Sequence, residues 1–305
     1  PDDWYGLNDQ EQKTRFRELD TLTSEDAVAV IKMRAKLMSW IRDYMNSEGY
    51  IEIDVPILQT VAGGAAAKPF VTHHNTLDTD FYLRIASELY LKRMLVGGFE
   101  KVYEMGTRFR NEGIDRQHNP EFTMLESQWA YADYEDLMTF TEDCLEKMIL
   151  EMKGTTNITW QDHALSFAKP FKRVKYVEIV SEALGFDILK EKSLDKYKEV
   201  FKRKNLKLPA SNNYYQLVDE LYKKLIRPKI VAPTIVYDYP AQFAPLAKRS
   251  SHNPDVAEKF QLVAAGMELN NCYTELNDPV KQGELFDEQM EQRKQGDEEA
   301  AENDD

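Results

Sequence analysis

The sequence predicts an α+β fold, in which a β-rich core carries flanking helices and one helical insertion. Three features of the 305-residue chain indicate this fold. A long helical pattern comes first, strand patterns then surround a charged stretch at 109–126, and a helical block at 172–230 interrupts the strands. We expect the block at 172–230 to be an insertion into the core.

The composition is that of an ordinary globular protein, with 42% hydrophobic and 11% aromatic residues. The net charge is −14, but residues 284–305 alone contribute eight of those negative charges. This acidic tail has no apolar face, so we expect it to be disordered. The remainder is mildly acidic, which argues against a domain whose main task is to grip a phosphate backbone.

Cysteine usage and hydropathy favour a cytoplasmic protein. Cys144 and Cys272 are far apart and lack metal-binding spacing, so neither a disulfide framework nor a zinc site is predicted. No apolar run approaches the ~20 residues that a membrane helix needs. The first residues lack the basic and apolar regions of a signal peptide. We therefore expect no membrane interaction.

The first elements are a helix and a short strand. The chain shows a helix start at Thr23 or Ser24, then a periodic apolar face and a stop at Gly49. In "YIEIDVPIL" apolar residues alternate with acids up to Pro56, which has no N–H for a central ladder, so an edge or interface strand is predicted. The small-residue loop "TVAGGAAAKPF" allows close approach of the backbone to a ligand, although a plain linker fits this stretch equally.

Helical and strand patterns alternate through the rest of the chain. Helices are predicted from Ser87 to Val96 and at 134–153. The segment "NITWQDHALSF" predicts a hairpin. Further strands are predicted in "PTIVYDYP" and in "KFQLVAAGMELNNCYTELNDP", which bends at Gly266.

The stretch "FRNEGIDRQHNPEFTMLE" at 109–126 predicts an antiparallel hairpin with a loop at 113–120. Strand alternation puts two sets of side chains on shared faces, namely Arg108, Arg110 and Glu112 on one arm and Phe122, Met124, Glu126 and Gln128 on the other. Cations beside an aromatic ring suit a nucleotide, and acids on the same face suit a cationic co-substrate or Mg²⁺. From charge alone, a hairpin whose arginines and glutamates only pair with one another fits equally.

Longer strings resemble the class II aminoacyl-tRNA synthetases, and specifically the lysyl enzymes. "FRNE", the loop and "EFTMLE" are similar to motif 2 of that family, and the helix and strand ending at Pro56 are similar to motif 1. The lysyl resemblance rests on "GGAAAKPFVTHHNTLDTDFYLRIASELYLKRMLVGGFEKVYEMGTRFRNEG", "HNPEFTMLE", "AYADY" and "YTELNDP". It covers essentially the whole chain. It implies an antiparallel sheet flanked by helices and a homodimer formed through the motif 1 region.

The resemblance implies a ligase that activates L-lysine with ATP and transfers it to tRNA(Lys). Arg110 would be the catalytic residue, holding the lysine carboxylate and the α-phosphate where charge develops as pyrophosphate leaves. Phe122 would stack on adenine. The other implied ATP-binding residues are Glu112, Arg116, His118 and Asn119.

The same resemblance implies a lysine pocket. Glu88 and the Gly63 carbonyl would receive the substrate α-amino group, and Glu275 would pair with the ε-ammonium. A carboxylate at the pocket base would reject uncharged analogues, because its charge would be left unpaired. Tyr273 would line the pocket, although a core aromatic is an alternative at this position. The remaining implied pocket residues are Glu126, Gln128 and Asn271.

Three positions bear on metal binding and selectivity. Glu268 resembles a Mg²⁺ ligand, and Mg²⁺ usually bridges ATP phosphates to one or two carboxylates. Gln261 stands where the family usually has a second metal-binding glutamate. Gln128 stands where many lysyl enzymes have a tyrosine. We therefore expect altered metal binding and altered selectivity against close lysine analogues.

Two parts of the family pattern are not found in this sequence. The OB-fold that reads the anticodon would precede residue 1, and the "GxGxDR" pattern of motif 3 does not occur. We expect a fragment of a lysyl-tRNA synthetase that is weak or inactive by itself. Two alternatives stay open: a stand-alone lysyl ligase that modifies a protein, and a non-catalytic binding or regulatory module.

Overall fold

The structure is a computed structural model and describes residues 9–65, 67–115, 118–209 and 213–285. The helices of the described residues include α1 (Gln10–Arg15), α2 (Arg17–Thr23), α3 (Glu25–Ser47), α4 (Glu88–Val96), α5 (Tyr134–Lys153), α6 (Tyr176–Leu184), α7 (Leu194–Arg203) and α8 (Tyr214–Leu221), which a π-helix (Tyr222–Ile226) continues. The strands are β1 (Ile51–Glu52), β2 (Leu58–Gln59), β3 (Val71–His74), β4 (Thr79–Leu83), β5 (Lys101–Phe109), β6 (Glu121–Trp129), β7 (Asn157–Trp160), β8 (His163–Ser166), β9 (Lys172–Lys175), β10 (Thr234–Pro240), β11 (Val256–Ala264) and β12 (Met267–Tyr273).

The strands of the described residues form four sheets. The largest has the order β12-β11-β10-β9, and the sheet that carries the charged hairpin has the order β1-β5-β6. A third sheet has the order β2-β4-β3, and β7 pairs with β8. The pairs β1–β5 and β9–β10 are parallel, and the other strand pairs are antiparallel. This mixture of helices and mainly antiparallel sheets agrees with the predicted α+β class.

Helix α3 begins and ends where the sequence predicts. The Ser24 side chain accepts a hydrogen bond from the Ala27 N–H at 3.2 Å, which caps the first turn. Gly49 has a φ of 84° just after the last turn, a conformation that glycine adopts without strain. Near this end Met45 is buried in the cluster that contains Tyr103 of β5. The helix therefore anchors the hairpin sheet by its C-terminal half.

The four-stranded sheet has an apolar cluster on each face. Phe260 and Leu262 pack in the cluster that includes residues of α5 and the β7–β8 hairpin. Val236 and Val263 pack in the cluster formed with α6, α7 and α8. The predicted helical block at 172–230 is helical only after its first residues, because 172–175 form strand β9, which pairs with β10 in this sheet. Its helices share the core of the sheet, and its status as an insertion stays a prediction.

Two predicted boundaries differ in the structure. The edge strand before Pro56 is only Ile51–Glu52, and after one more hydrogen bond, from the Ile53 N–H to Tyr103 O at 2.8 Å, regular pairing ends. The predicted acidic tail begins at 284, but residues 279–285 are helical and Leu285 is buried. The rest of that tail lies outside the described residues.

The two cysteines are free thiols. Burial is the main cause that raises the pKa of both Cys144 and Cys272 to about 12. Both are therefore protonated and unreactive at neutral pH. Within the described ranges, no helix has the length and apolar character that crossing a membrane requires.

Candidate active site

The charged stretch at 109–126 forms the predicted hairpin, with a longer loop. Strands β5 and β6 pair along their whole length. The Asn111 N–H then leaves the ladder and donates to the Lys68 carbonyl at 2.7 Å. Regular strand structure therefore stops at Phe109, and the loop begins earlier than the predicted 113–120.

Arg108 is buried under the hairpin and is not available to a ligand. Its side chain is 0% exposed, and its guanidinium donates to Glu104 and, at 2.8 Å, to Glu126. Glu112 is exposed in the loop. The Arg110 N–H donates to the Pro120 carbonyl at 2.9 Å, one step further along the same register, and the Arg110 guanidinium lies over Phe122, the residue opposite Arg108. Arg108 and Arg110 therefore lie on one face as predicted, but Arg108 is buried there.

Four charged residues form a buried assembly under the hairpin, which we call the hairpin charge network: Arg84, Glu104, Arg108 and Glu126. Arg84 pairs with Glu104 at 2.8 Å and donates to two backbone carbonyls at 2.7 and 2.8 Å. The Ser87 N–H donates to Glu126 at 2.7 Å. A Cβ at Gly106 would lie 2.6 Å from Arg84 Nη2, so only glycine leaves room for this pair. Two cations and two anions make the network neutral.

A second cluster of polar side chains meets at the first turns of α4, and we call it the ammonium cluster: Glu88, Lys92, Tyr273 and Glu275. Lys92 Nζ lies 2.6 Å from Glu88 Oε1 and 2.8 Å from Glu275 Oε2. The Tyr273 hydroxyl donates to the same Glu88 oxygen at 2.9 Å. Two predicted lysine-binding carboxylates from distant parts of the chain therefore meet at one primary ammonium group.

Burial and charge set protonation in the ammonium cluster. Burial raises the pKa of Glu275 above its ordinary value, and Lys92 offsets part of that rise. Burial by itself lowers the pKa of Lys92, but Glu88 and Glu275 outweigh it and the pKa of Lys92 is raised. Burial, followed by the Glu88 charge, raises the pKa of Tyr273 well above its ordinary value. With both carboxylates ionised and Lys92 protonated, the cluster carries one net negative charge.

The small-residue loop packs beside Glu88. Gly64 has a φ of 84°, and a Cβ there would lie 3.1 Å from the Glu88 Cβ. Gly63 is buried, and a Cβ there would lie 2.7 Å from Leu89. The small residues of this loop therefore let its backbone pack closely against α4, next to Glu88, which is predicted to accept the substrate amino group.

The other predicted pocket residues lie around the ammonium cluster or beyond it. The Gln128 side chain hydrogen-bonds Glu275 and favours its ionised form. Glu126 belongs to the hairpin charge network, where the Ser87 N–H and Arg108 hold one of its oxygens. Asn271 is exposed on β12.

The end of the hairpin carries the predicted ATP-binding pair. The Arg110 guanidinium carbon lies 5.3 Å from the centre of the Phe122 ring. The Arg110 Nε is buried, and no hydrogen-bond partner for it occurs among the described residues. A guanidinium with a spare donor beside a half-buried ring can bind a phosphate and leave the ring to stack on a base.

The loop residues predicted to bind ATP are largely exposed. His118 Nδ1 lies 2.8 Å from Asp115 Oδ2, so this histidine is held by an acid of its own loop. Asn119 is exposed, as is Glu112. Arg116 lies outside the described residues.

The predicted metal ligand Glu268 lies on β12, and Arg227 is 3.8 Å from its Oε2. Gln261 Oε1 accepts a hydrogen bond from the Tyr239 hydroxyl at 2.7 Å, so this amide oxygen is already engaged. No group of three His, Cys, Asp or Glu side chains placed to hold a metal occurs in the part of the chain that the structure describes. One carboxylate fits a Mg²⁺ held mainly by ATP phosphates, and it does not fit an all-protein metal site.

Sequence reasoning missed Lys92 of the ammonium cluster and two members of the hairpin charge network. Lys92 lies one turn after Glu88, and this i, i+4 spacing was the available signal. Arg84 and Glu104 come from different segments, and no sequence spacing connects them. Arg108 was placed only on a shared face, because alternation cannot distinguish a buried position on that face from a binding one.

Comparisons with known proteins identify relatives of the chain. Residues 9–305 match the family model described as tRNA synthetases class II (D, K and N). The lysine–tRNA ligase of Chloroflexus aurantiacus is 44% identical over 300 residues, and that of Listeria welshimeri is 43% identical over 300 residues. These alignments cover 98% of this chain but 61% and 60% of the two relatives. The chain thus spans about three fifths of the length of the relatives that it matches.

Proposed function

Because the chain belongs to the family of class II tRNA synthetases, we propose that its protein activates L-lysine with ATP and transfers the lysyl group to tRNA(Lys). One observation carries the choice of lysine. Glu88 and Glu275 lie 2.6 and 2.8 Å from the primary ammonium of Lys92, which supports a preference of these two carboxylates for the functional group that distinguishes lysine. The names of the two relatives, lysine–tRNA ligase, support the same choice.

The first step of the proposed reaction forms lysyl-adenylate. A carboxylate oxygen of lysine attacks the α-phosphorus of ATP, and the bond from that phosphorus to the β-phosphate bridging oxygen breaks, which releases pyrophosphate. Arg110 binds the carboxylate and the α-phosphate, so its positive charge offsets the negative charge that develops between them. Phe122 stacks on the adenine. The other residues proposed to contact ATP are Glu112, Arg116, His118 and Asn119.

The second step transfers the lysyl group. A hydroxyl of tRNA attacks the activated carbonyl, the carbonyl carbon–phosphate oxygen bond breaks, and AMP leaves. Lysine is held for both steps by its two amino groups, the α-amino group at Glu88 and the Gly63 carbonyl and the ε-ammonium at Glu275. The other residues proposed to line the lysine pocket are Glu126, Gln128, Asn271 and Tyr273.

Magnesium belongs to the proposal as a partner of ATP. Glu268 would hold the ion together with the ATP phosphates, and the ion would supply positive charge to the leaving pyrophosphate. Because Gln261 brings no charge, a single carboxylate is proposed for this role.

We also propose a homodimer that works in the cytoplasm. Val30 and Ile31 in the first half of α3 are 62% and 44% exposed, and Leu22 before it is 80% exposed. Neighbouring exposed apolar side chains on the region similar to motif 1 favour a second copy as the occupant. Sedimentation velocity would give a dimer for the wild type and a monomer for Val30→Glu, and a monomeric wild type would contradict the dimer.

The activation step is tested by amino-acid-dependent ATP–pyrophosphate exchange with the complete natural protein. The panel contains L-lysine, L-ornithine, L-arginine and L-norleucine. Exchange with lysine well above the others is expected. Arg110→Gln should abolish it, whereas Arg203→Gln at the exposed end of α7 should not. Exchange with none of the four, or a clear preference for another amino acid, contradicts the proposal.

A further inference from the structure

Lys92 has no role in the reaction described above, yet it lies at the centre of the ammonium cluster. Its side chain is 25% exposed, and its Nζ contacts one oxygen of Glu88 and one oxygen of Glu275. The side chains of these two acids are 12% and 32% exposed. The contact is therefore a partly buried bridge between two carboxylates.

The surface of the protein offers an ordinary pair for comparison. Lys224 and Glu220 have the same i, i+4 spacing and lie 2.9 Å apart, with side chains 36% and 30% exposed. Such a pair follows from helix geometry alone and contributes little. The Lys92 bridge differs because Glu275 arrives from the segment after β12, so the lysine joins two separate elements.

The bridge changes what the two carboxylates can do. Both approach the same nitrogen within 2.8 Å, so without that cation they would face each other as like charges. One of two such carboxyl groups then holds a proton, and a protonated carboxyl is a poor acceptor for an incoming ammonium. Lys92 removes this conflict. It contacts one oxygen of each carboxylate, so both groups stay ionised acceptors.

We propose that Lys92 is a positioning residue for lysine recognition, whose ammonium ties Glu88 to Glu275 and leaves the pair one net negative charge. This inference rests on the proposed function, since it concerns the same pocket. L-Lysine brings two ammonium groups and one carboxylate, and that carboxylate is assigned to Arg110. The two ammonium groups of the substrate are thus opposite in charge to the ammonium cluster.

The test compares Lys92→Gln with Lys92→Arg in ATP–pyrophosphate exchange by the complete natural protein. Lys92→Gln is expected to raise the KM for L-lysine about tenfold or more while kcat changes much less, because two acceptors lose their charged partner. Lys92→Arg keeps the positive charge and should lie closer to the wild type. The matched control, Lys224→Gln, should leave KM unchanged.

Two outcomes overturn the proposal. An unchanged or lowered KM in Lys92→Gln would mean that Lys92 is neutral or competes with the substrate. Equal loss in Lys92→Gln and Lys92→Arg would mean that packing, and not charge, matters at this position. These outcomes differ from failure of the proposed function, in which the wild type itself shows no lysine-dependent exchange.

A measurement on the wild type covers the case in which the variants do not fold. Acetic anhydride labelling followed by mass spectrometry gives the acetylation rate at each lysine. The proposal predicts much slower acetylation at Lys92 than at Lys224, because two carboxylates hold the Lys92 ammonium in its protonated form. Equal rates at the two lysines would overturn it.

Discussion

The hairpin charge network and the ammonium cluster are neighbours that meet at Ser87 and Glu88, and their charge balance differs. In the network, Arg84 and Arg108 are 4% and 0% exposed, and the two carboxylates that they face balance them. Even the Ser87 N–H and hydroxyl donate to network carboxylates. In the ammonium cluster, one lysine serves two carboxylates that are partly exposed.

This difference separates structural charges from binding charges. A buried ion pair is stable only when its partners satisfy each other, so removing one partner leaves an uncompensated charge. A cluster with one surplus negative charge and residual exposure can accept a cation from outside. We therefore expect substitutions of Arg84, Glu104 and Arg108 to lower stability, and substitutions in the ammonium cluster to weaken lysine binding.

The largest expected effect is on stability, from Arg108→Met. This change leaves Glu104 and Glu126 buried without their shared partner and should lower the free energy of unfolding by about 3–5 kcal/mol. Urea denaturation measures it. Arg15→Met is the control, because Arg15 pairs with Glu11 on the surface with side chains 67% and 78% exposed. Equal stability of Arg108→Met and the wild type would contradict a structural network.

Glu275→Gln should act on binding. It removes the ε-ammonium acceptor, and the KM for L-lysine in pyrophosphate exchange should rise by roughly 10- to 100-fold. Glu220→Gln, the partner of Lys224, is the control. A KM that stays near that of the wild type would remove Glu275 from the pocket.

The pH dependence of stability is expected to differ between Glu275→Gln and the wild type. Burial raises the pKa of Glu275, so the folded protein keeps this proton to a higher pH than the unfolded chain. Its ionisation therefore lowers stability as pH rises from the ordinary glutamate pKa through the folded value. Glu275→Gln should remove that loss and be at least as stable as the wild type at pH 7. A clear loss of stability at pH 7 would place Glu275 with the structural charges.

Gly106→Ala crowds the hairpin charge network without removing any of its charges. The added Cβ would lie 2.6 Å from Arg84 Nη2, and the crowding should cost about 1–3 kcal/mol of unfolding free energy in urea denaturation. Gly113→Ala is the control, because nothing lies within 4 Å of a Cβ there. Equal effects of the two substitutions would show that the network tolerates displacement.

The smallest effect is expected from Tyr273→Phe. It removes the hydroxyl that donates to Glu88 at 2.9 Å and leaves the ring in place. One such hydrogen bond to a charged group corresponds to a KM increase of about tenfold. Steady-state exchange kinetics would measure it, and a large fall in kcat with constant KM would contradict a binding role.

Local signals in the sequence were enough for most of the fold. Helix α5 was predicted at 134–153, where Asp133 forms a capping box and Gly154 ends the helix with a φ of 72°. The bend at Gly266 between β11 and β12 is likewise a local property, with a φ of 74°. The predicted start of the hairpin loop was wrong, because a contact with a distant segment determines where the strand ends. The Asn111 N–H bonds to Lys68, which no period in the hairpin sequence could reveal.

The site shows the same limit. Glu88, Tyr273 and Glu275 were assigned by resemblance, and the structure brings them together. Lys92 was missed, because its i, i+4 spacing from Glu88 is that of an ordinary helical pair. Only the approach of Glu275 from the segment after β12 distinguishes it.

The most direct test of the account is amino-acid selectivity. The ratio of kcat/KM for L-lysine to kcat/KM for L-norleucine, which has no ε-ammonium, would be measured for the wild type and Glu275→Gln in the complete natural protein. The account predicts a large ratio for the wild type and a collapse of that ratio in Glu275→Gln, because the variant loses the negative charge that favours an ε-ammonium over an apolar end group. An unchanged ratio would contradict the claim that the ammonium cluster recognises lysine.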